Sequence, residues 1–158
     1  MGARIATDLA KFGATVIAID LDGPKLAELQ KQVSNIIRVA VDLSDWDATE
    51  RALANVGDVD LLVNNAGITK LEAIGEIRPD TIDKIFSVNF KAAVNISQIC
   101  VRSMKSRGVP GAVVNVSSQS GLVALPEHAV YCGSKAALDM LTRVMALELG
   151  PYNVGDNS

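Results

Sequence analysis

The sequence predicts an α/β fold, a doubly wound parallel sheet, on three observations. Short apolar runs, such as TVIAID at 15–20 and VDLLV at 59–63, alternate with stretches of helical periodicity. These runs are continuous rather than alternating with polar residues, the pattern of strands covered on both faces. Polar groups also gather where the runs end: Asp20, Asp42, Asn64 to Gly67, and Ser117 with Ser118. Parallel sheets bind ligands at the carboxyl ends of their strands, so this clustering points to a bound nucleotide.

Each element follows from its own residues. Ile5, Leu9 and Phe12 recur at helical spacing, and Gly13 stops that first helix. The strand at 15–20 follows, then a helix that Asp22 caps and Pro24 opens, ending near Val33. The next strand covers 36–41 and closes at Asp42. A helix over 44–56 carries Asp45 and Asp47 near its positive amino end. After the strand at 59–63, a loop runs from Asn64 to Pro79. One long helix then spans 79–107, with Ile82, Ile85, Phe86, Ala93, Ile96 and Cys100 on one face and Asn89 among them. Gly108 and Pro110 end it. A strand at 112–116 and a helix running to about Leu149 complete the order, with right-handed crossovers expected.

The length of 158 residues fits one domain, and 49% apolar content suffices for a core. The net charge of −3 is spread along the chain, which argues against nucleic-acid or anionic-membrane partners. Cys100 and Cys132 fall in predicted helices without ligand-like neighbours, so they read as reduced thiols of a cytoplasmic protein with no metal site. No apolar run reaches the ~18 residues of a membrane span, and the first residues read as an amphipathic helix rather than a targeting segment.

The chemistry concentrates between Val113 and Lys135. Tyr131 and Lys135 are four residues apart on a helix and share a face. An ammonium beside a phenol favours the phenolate and moves its ionisation down from ~10, which suits proton transfer to a substrate oxygen. Ser118, at a strand end, is placed to hydrogen-bond the same oxygen. Each residue also has a plainer reading. Asn89 satisfies a nearby backbone group, His128 is a loop histidine, and Asp42 caps the helix at 44. Gly67 serves a tight bend, and Trp46, Met140 and Met145 are core or interface residues.

Four features stand in register: NNAG at 64–67, Asn89 in the long helix, VSS at 116–118 and YxxxK at 131–135. With them the chain resembles the short-chain dehydrogenase/reductase family over residues 2 to about 153. The stretches VDLSDWDATERAL, VDLLVNNAG, RGVPGAVVNVSSQ and VYCGSKAALDMLTRVMALELGP resemble one branch, which acts on ketopentoses and α-dicarbonyl compounds. The resemblance implies a Rossmann-like NAD(P)-binding domain over 1–154 and a carbonyl reductase that also oxidises polyols. It assigns Tyr131 as general acid, Lys135 to the nicotinamide ribose, Ser118 to the substrate carbonyl and Asn89 to a water relay. Gly2, Asp20, Asp42, Asn65, Ala66 and Gly67 would join Tyr131 and Lys135 in holding the cofactor. Gln119, Leu125 and His128 would line the substrate pocket beside Ser118. A homo-oligomer, a homotetramer in the full-length form, is the partner it implies.

Asp20 shifts the cofactor reading towards NAD(H) over NADP(H), because an acid ending this strand accepts from ribose hydroxyls and repels a 2′-phosphate. The branch places a small residue and an arginine where this chain has Asp20 and Leu21. The family also opens with a strand and a TGxxxGIG turn, which cradles the pyrophosphate. Met1 and Gly2 fall where that turn ends, so the reading lacks the first strand and the C-terminal strands, with 155–158 an unrelated tail. The expectation is an incomplete form with little or no activity. The alternatives are a variant that binds full-length subunits, a chain that does not fold alone, and a non-enzymatic binding module.

Overall fold

The computed structural model describes residues 1–157, in two units, Met1–Val56 and Gly57 onward. The first contains α1 (Gly2–Lys11), β1 (Val16–Asp20), α2 (Gly23–Gln32), β2 (Ile36–Ala40) and α3 (Trp46–Leu53). β1 and β2 pair in parallel, Val16 opposite Ile36 through Asp20 opposite Ala40. Ala6, Ala18, Leu26 and Ile36 form the core, with Val16, Leu29 and Val33 packed against them.

The caps explain where these helices begin. Asp22 accepts from the Lys25 N–H at 3.0 Å, and Pro24 stands in the first turn of α2. Asp45 accepts from the Ala48 N–H at 2.9 Å, so α3 starts at Trp46 rather than at Ser44. Ser44 is held instead by Asp42, whose Oδ1 accepts from both its N–H and its hydroxyl. In α1 the buried positions are Ala6 and Ala10, while Phe12, predicted to share the apolar face, is 89% exposed as the C-cap. The chain leaves helical geometry there, so the 3.6-residue spacing no longer places its ring.

The second unit contains β3 (Leu61–Asn64), α4 (Pro79–Phe86), a π turn (Ser87–Lys91), α5 (Ala92–Arg107), β4 (Gly111–Asn115) and α6 (Ala129–Leu149). It closes on β5 (Val154–Asn157). β4 pairs in parallel with β3 and with β5. The predicted long helix is present over 79–107, with the π turn inside it, and Gly108 ends it at a φ of 63° that suits glycine. Ile82 is exposed, because the buried row is Thr81, Ile85, Asn89, Ala93, Ile96, Cys100 and Met104.

Two expectations change here. Residues 155–157, read as part of an unrelated tail, lie in β5, so a strand follows the Tyr131 helix where none is predicted. Glycine, aspartate and asparagine are poor strand formers. Pairing with β4 and the burial of Val154 override that preference. Ser158 lies outside the described residues. The strands are also less covered than their apolar runs predict, with Ile37, Leu61 and Val114 all exposed. Sheets of two and three strands have limited neighbouring surface with which to cover both faces.

A buried polar chain ties the second unit together. Asn64 Nδ2 donates to Ser97 Oγ at 3.0 Å and to Asn115 Oδ1 at 2.8 Å. Asn115 Nδ2 donates to Thr142 Oγ1 at 3.0 Å, linking β3, α5, β4 and α6. Such groups are retained in a core only when their hydrogen bonds are made.

Candidate active site

The π turn places Asn89, 1% exposed, with its amide against the backbone of Ile68. Oδ1 accepts from the Ile68 N–H at 2.8 Å, and Nδ2 donates to the Ile68 carbonyl at 2.9 Å and to Ser134 Oγ at 3.0 Å. Ser134 donates in turn to the Tyr131 carbonyl at 2.7 Å. The plain reading of Asn89, an amide that satisfies backbone groups, describes this geometry well. A π turn at such a point is common in functional sites because it redirects one side chain without ending the helix.

Lys135 is 4% exposed and donates from Nζ to the Val116 carbonyl at 2.7 Å. Its ammonium stands 5.9 Å from the centre of the Tyr131 ring. Burial pulls the lysine pKa down, and the carboxylate of Asp139 works against that shift. A Cβ added to Gly67 would lie 3.6 Å from both Asn89 Oδ1 and Lys135 Nζ, so the NNAG turn runs directly past these two groups. The backbone of Gly67 is not in the left-handed region, in contrast to Gly13, Gly57, Gly75 and Gly108. The bend expected of it therefore does not require glycine.

Ser118 has extended backbone and caps a short 3-10 turn over Gln119–Gly121. Its hydroxyl accepts from the Ser120 N–H and donates to Ser120 Oγ, both at 3.1 Å. Gln119 is exposed beside it, and Leu125 is 38% exposed in the following loop. His128 is the N-cap residue of α6; its Nδ1 lies 2.7 Å from the Pro126 carbonyl, and its ring meets Tyr131 edge-on at 6.2 Å. Asn65 is half-buried and Ala66 exposed after β3. The structure thus brings Asn89, Gly67, Lys135, Tyr131 and His128 together.

In the first unit, Asp20 is exposed at the carboxyl end of β1, and its Oδ1 accepts from the Asp22 N–H at 2.9 Å. Asp22, not Asp20, caps α2. Asp42 is half-buried with Ser44 on its Oδ1, and Gly2 begins α1.

Ser134, Ser120 and the Val116 carbonyl escape the sequence reading. Ser134 lies inside the YxxxK spacing, but only the fold reveals that it joins Asn89 to the Tyr131 turn. The groups fit a nucleotide cofactor. A lysine carries three N–H donors, and one of those on Lys135 reaches Val116, leaving capacity for hydroxyl acceptors such as a ribose. Among the described residues, no His/Cys/Asp/Glu group is arranged to hold a metal ion, and no helix is long and apolar enough to cross a membrane.

A strand-end serine, a tyrosine and lysine one turn apart, and a buried asparagine on a parallel α/β fold define a dehydrogenase class. The sequence profile of the short chain dehydrogenase family matches residues 1–158, and the chain belongs to that family. It is 47% identical over 158 residues to L-xylulose reductase of Mus musculus, covering 100% of this chain and 65% of that protein. The chain spans 60–65% of the length of the two L-xylulose reductases it matches in mouse and human. A solved 4-hydroxyisoleucine dehydrogenase complexed with NADH superposes with a TM-score of 0.90 at 29% identity, covering 99% of this chain and 68% of that one. A gluconate 5-dehydrogenase from Burkholderia cenocepacia in complex with NADP and tartrate gives 0.87 at 29% identity, over 99% and 65%.

Proposed function

We propose that the chain carries the site of an NAD(P)(H)-dependent oxidoreductase that interconverts a carbonyl and a secondary alcohol, of the L-xylulose (dicarbonyl) reductase type. The observation that carries the reading is the buried Lys135 ammonium 5.9 Å from the Tyr131 ring. The nicotinamide supplies the hydride when bound. Tyr131 gives a proton to the carbonyl oxygen as it becomes an alcohol, beside the buried Lys135 side chain. Lys135 is anchored by the Val116 carbonyl and turns its remaining donors to the ribose. Ser118 polarises the substrate carbonyl once its hydroxyl hydrogen turns from Ser120 Oγ to the substrate oxygen. Asn89 holds the Ile68 backbone and lies beside the lysine, where a water relay would run. Gln119, Leu125 and His128 line the substrate side.

Asp20 supports NAD(H) as the preferred cofactor, because its exposed carboxylate favours ribose hydroxyls and repels a 2′-phosphate. In this reading Asn65 to Gly67 serve the adenosine, and Asp42 of the first unit is assigned to it by the family resemblance alone. Met140, Val144 and Leu147 are 55%, 42% and 81% exposed along one face of α6, which supports association with further subunits.

The test is L-xylulose-dependent oxidation of NADH and NADPH by the purified protein and by Tyr131→Phe. Loss of the proton donor is expected to lower the rate about 100-fold or more. Equal rates with and without the phenol would falsify the reading. A protein that binds neither nucleotide and reduces no carbonyl favours the alternative reading, an inactive variant that associates with full-length homologues.

A further inference from the structure

Outside the candidate catalytic groups, an ionic cluster of the second unit surrounds Glu72. Its side chain is only 11% exposed although it sits in a loop. Oε1 accepts from Thr81 Oγ1 at 3.0 Å and from the Lys70 ammonium, while the Arg78 guanidinium stands 3.5 Å away. Oε2 accepts from the Arg78 N–H at 3.3 Å, and Lys70 also donates to Thr81 Oγ1 at 3.2 Å. Four groups on one carboxylate exceed what a surface pair achieves, since exposed pairs rarely hold one geometry. The cluster pins the loop to the first turn of α4, the helix that continues into the Asn89 turn.

The other side of Glu72 reaches the turn before the Tyr131 helix. Its backbone N–H donates to the Glu127 carbonyl at 3.0 Å. Glu127 has a φ of 61°, a left-handed conformation that a non-glycine side chain adopts at a cost and keeps only when its surroundings impose it. The next residue is His128, the N-cap of α6, whose ring meets Tyr131 edge-on. The loop that begins at Ile68, held by Asn89, is therefore also fastened at Glu72 to the turn before Tyr131.

We propose that Glu72 is a positioning residue: its carboxylate cluster holds the loop so that the Glu72 N–H keeps Glu127 left-handed and His128 against Tyr131. Its functional consequence rests on the reading of Tyr131 as the proton donor. The positioning itself does not, and can be measured without turnover. A fixed phenol matters because misplacing a reacting group by about 1 Å can cost 100-fold in rate.

His128 is the sole histidine in the sequence, so its ring signals in an NMR spectrum are assigned without ambiguity. Tyr131→Leu defines the His128 shift when the aromatic neighbour is lost. Glu72→Ala is expected to move the His128 signals at least halfway to that value, and Glu72→Gln, which keeps the acceptor oxygen for Thr81, to restore most of the native shift. Arg107→Ala cuts an ion pair with Asp60 elsewhere in the same unit and is expected to leave His128 unmoved. The wild-type chain supplies a second reading that needs no variant: the Glu72 amide should exchange with solvent more slowly than those of Leu71 and Ala73. An unmoved His128 in Glu72→Ala, an equal shift in Arg107→Ala, or a fast-exchanging Glu72 amide each overturns the proposal. Failure of L-xylulose reduction with these shifts intact would instead fault only the catalytic reading.

Discussion

The Lys135 ammonium donates to the Val116 carbonyl at 2.7 Å, so the charge of α6 is anchored on the residue that leaves β4. Burial lowers the pKa of that lysine, and Asp139 partly opposes the shift. The unfolded chain therefore binds its proton more tightly than the folded chain does. Stability from this group is expected to rise with pH between the folded pKa and the unfolded value of ~10.4. Urea midpoints for wild type and Lys135→Met across that alkaline range check the sign. A wild-type midpoint that falls relative to the variant would sink the assignment.

Asn64 and Asn115 are register partners in β3 and β4, and their amides are joined at 2.8 Å. Asn115→Ala removes the acceptor of one Asn64 N–H and the donor to Thr142 together. The expected loss is roughly 1–3 kcal/mol, the cost of leaving buried polar groups without partners. Chemical denaturation measures it, and an unchanged midpoint would show that the network contributes little.

Asp20→Ala is expected to shift preference towards NADPH. Removing one carboxylate that repels the 2′-phosphate should raise the NADPH to NADH ratio of kcat/KM by about tenfold, near 1.4 kcal/mol. The rates are to be compared under identical salt, since charge repulsion is screened. A ratio unmoved by the substitution would remove Asp20 from the cofactor site.

The Glu72 carboxyl is pushed down to about 2, first by the hydrogen bond from Lys70 and then by those from Thr81 and the Arg78 backbone, against its own desolvation. A depressed carboxyl stabilises the fold above the unfolded value of ~4.3 and ceases to do so as pH falls towards the folded value. The difference in urea midpoint between wild type and Glu72→Gln should therefore shrink steadily over that acid window. A difference independent of pH would mean that Glu72 acts through shape alone.

Much of this architecture was legible beforehand because it rests on local rules. The Asp22 cap, the Gly108 stop and the alternation of apolar runs with helices each depend on residues a few positions apart. Tyr131 and Lys135 were legible for the same reason, being one helical turn apart. Phe12, Ile82 and Ile37 are exposed against their apolar character, since apolar spacing cannot say which of several apolar positions meets a neighbour. β5 was missed because its glycine, aspartate and asparagine carry no strand signal of their own.

The sequence by itself determined the order of the helices and of the first four strands, the family and the identity of the candidate catalytic groups, all properties of short segments and their spacing. Only the tertiary structure decided which of those groups meet. The π turn aims Asn89 at Ile68, Ser134 links it to the turn of Tyr131, and Glu72 reaches Glu127 across 55 positions of chain. The physical reason is that hydrogen bonds between distant segments depend on where packing places the backbone, and sequence spacing constrains that placement only within a single element.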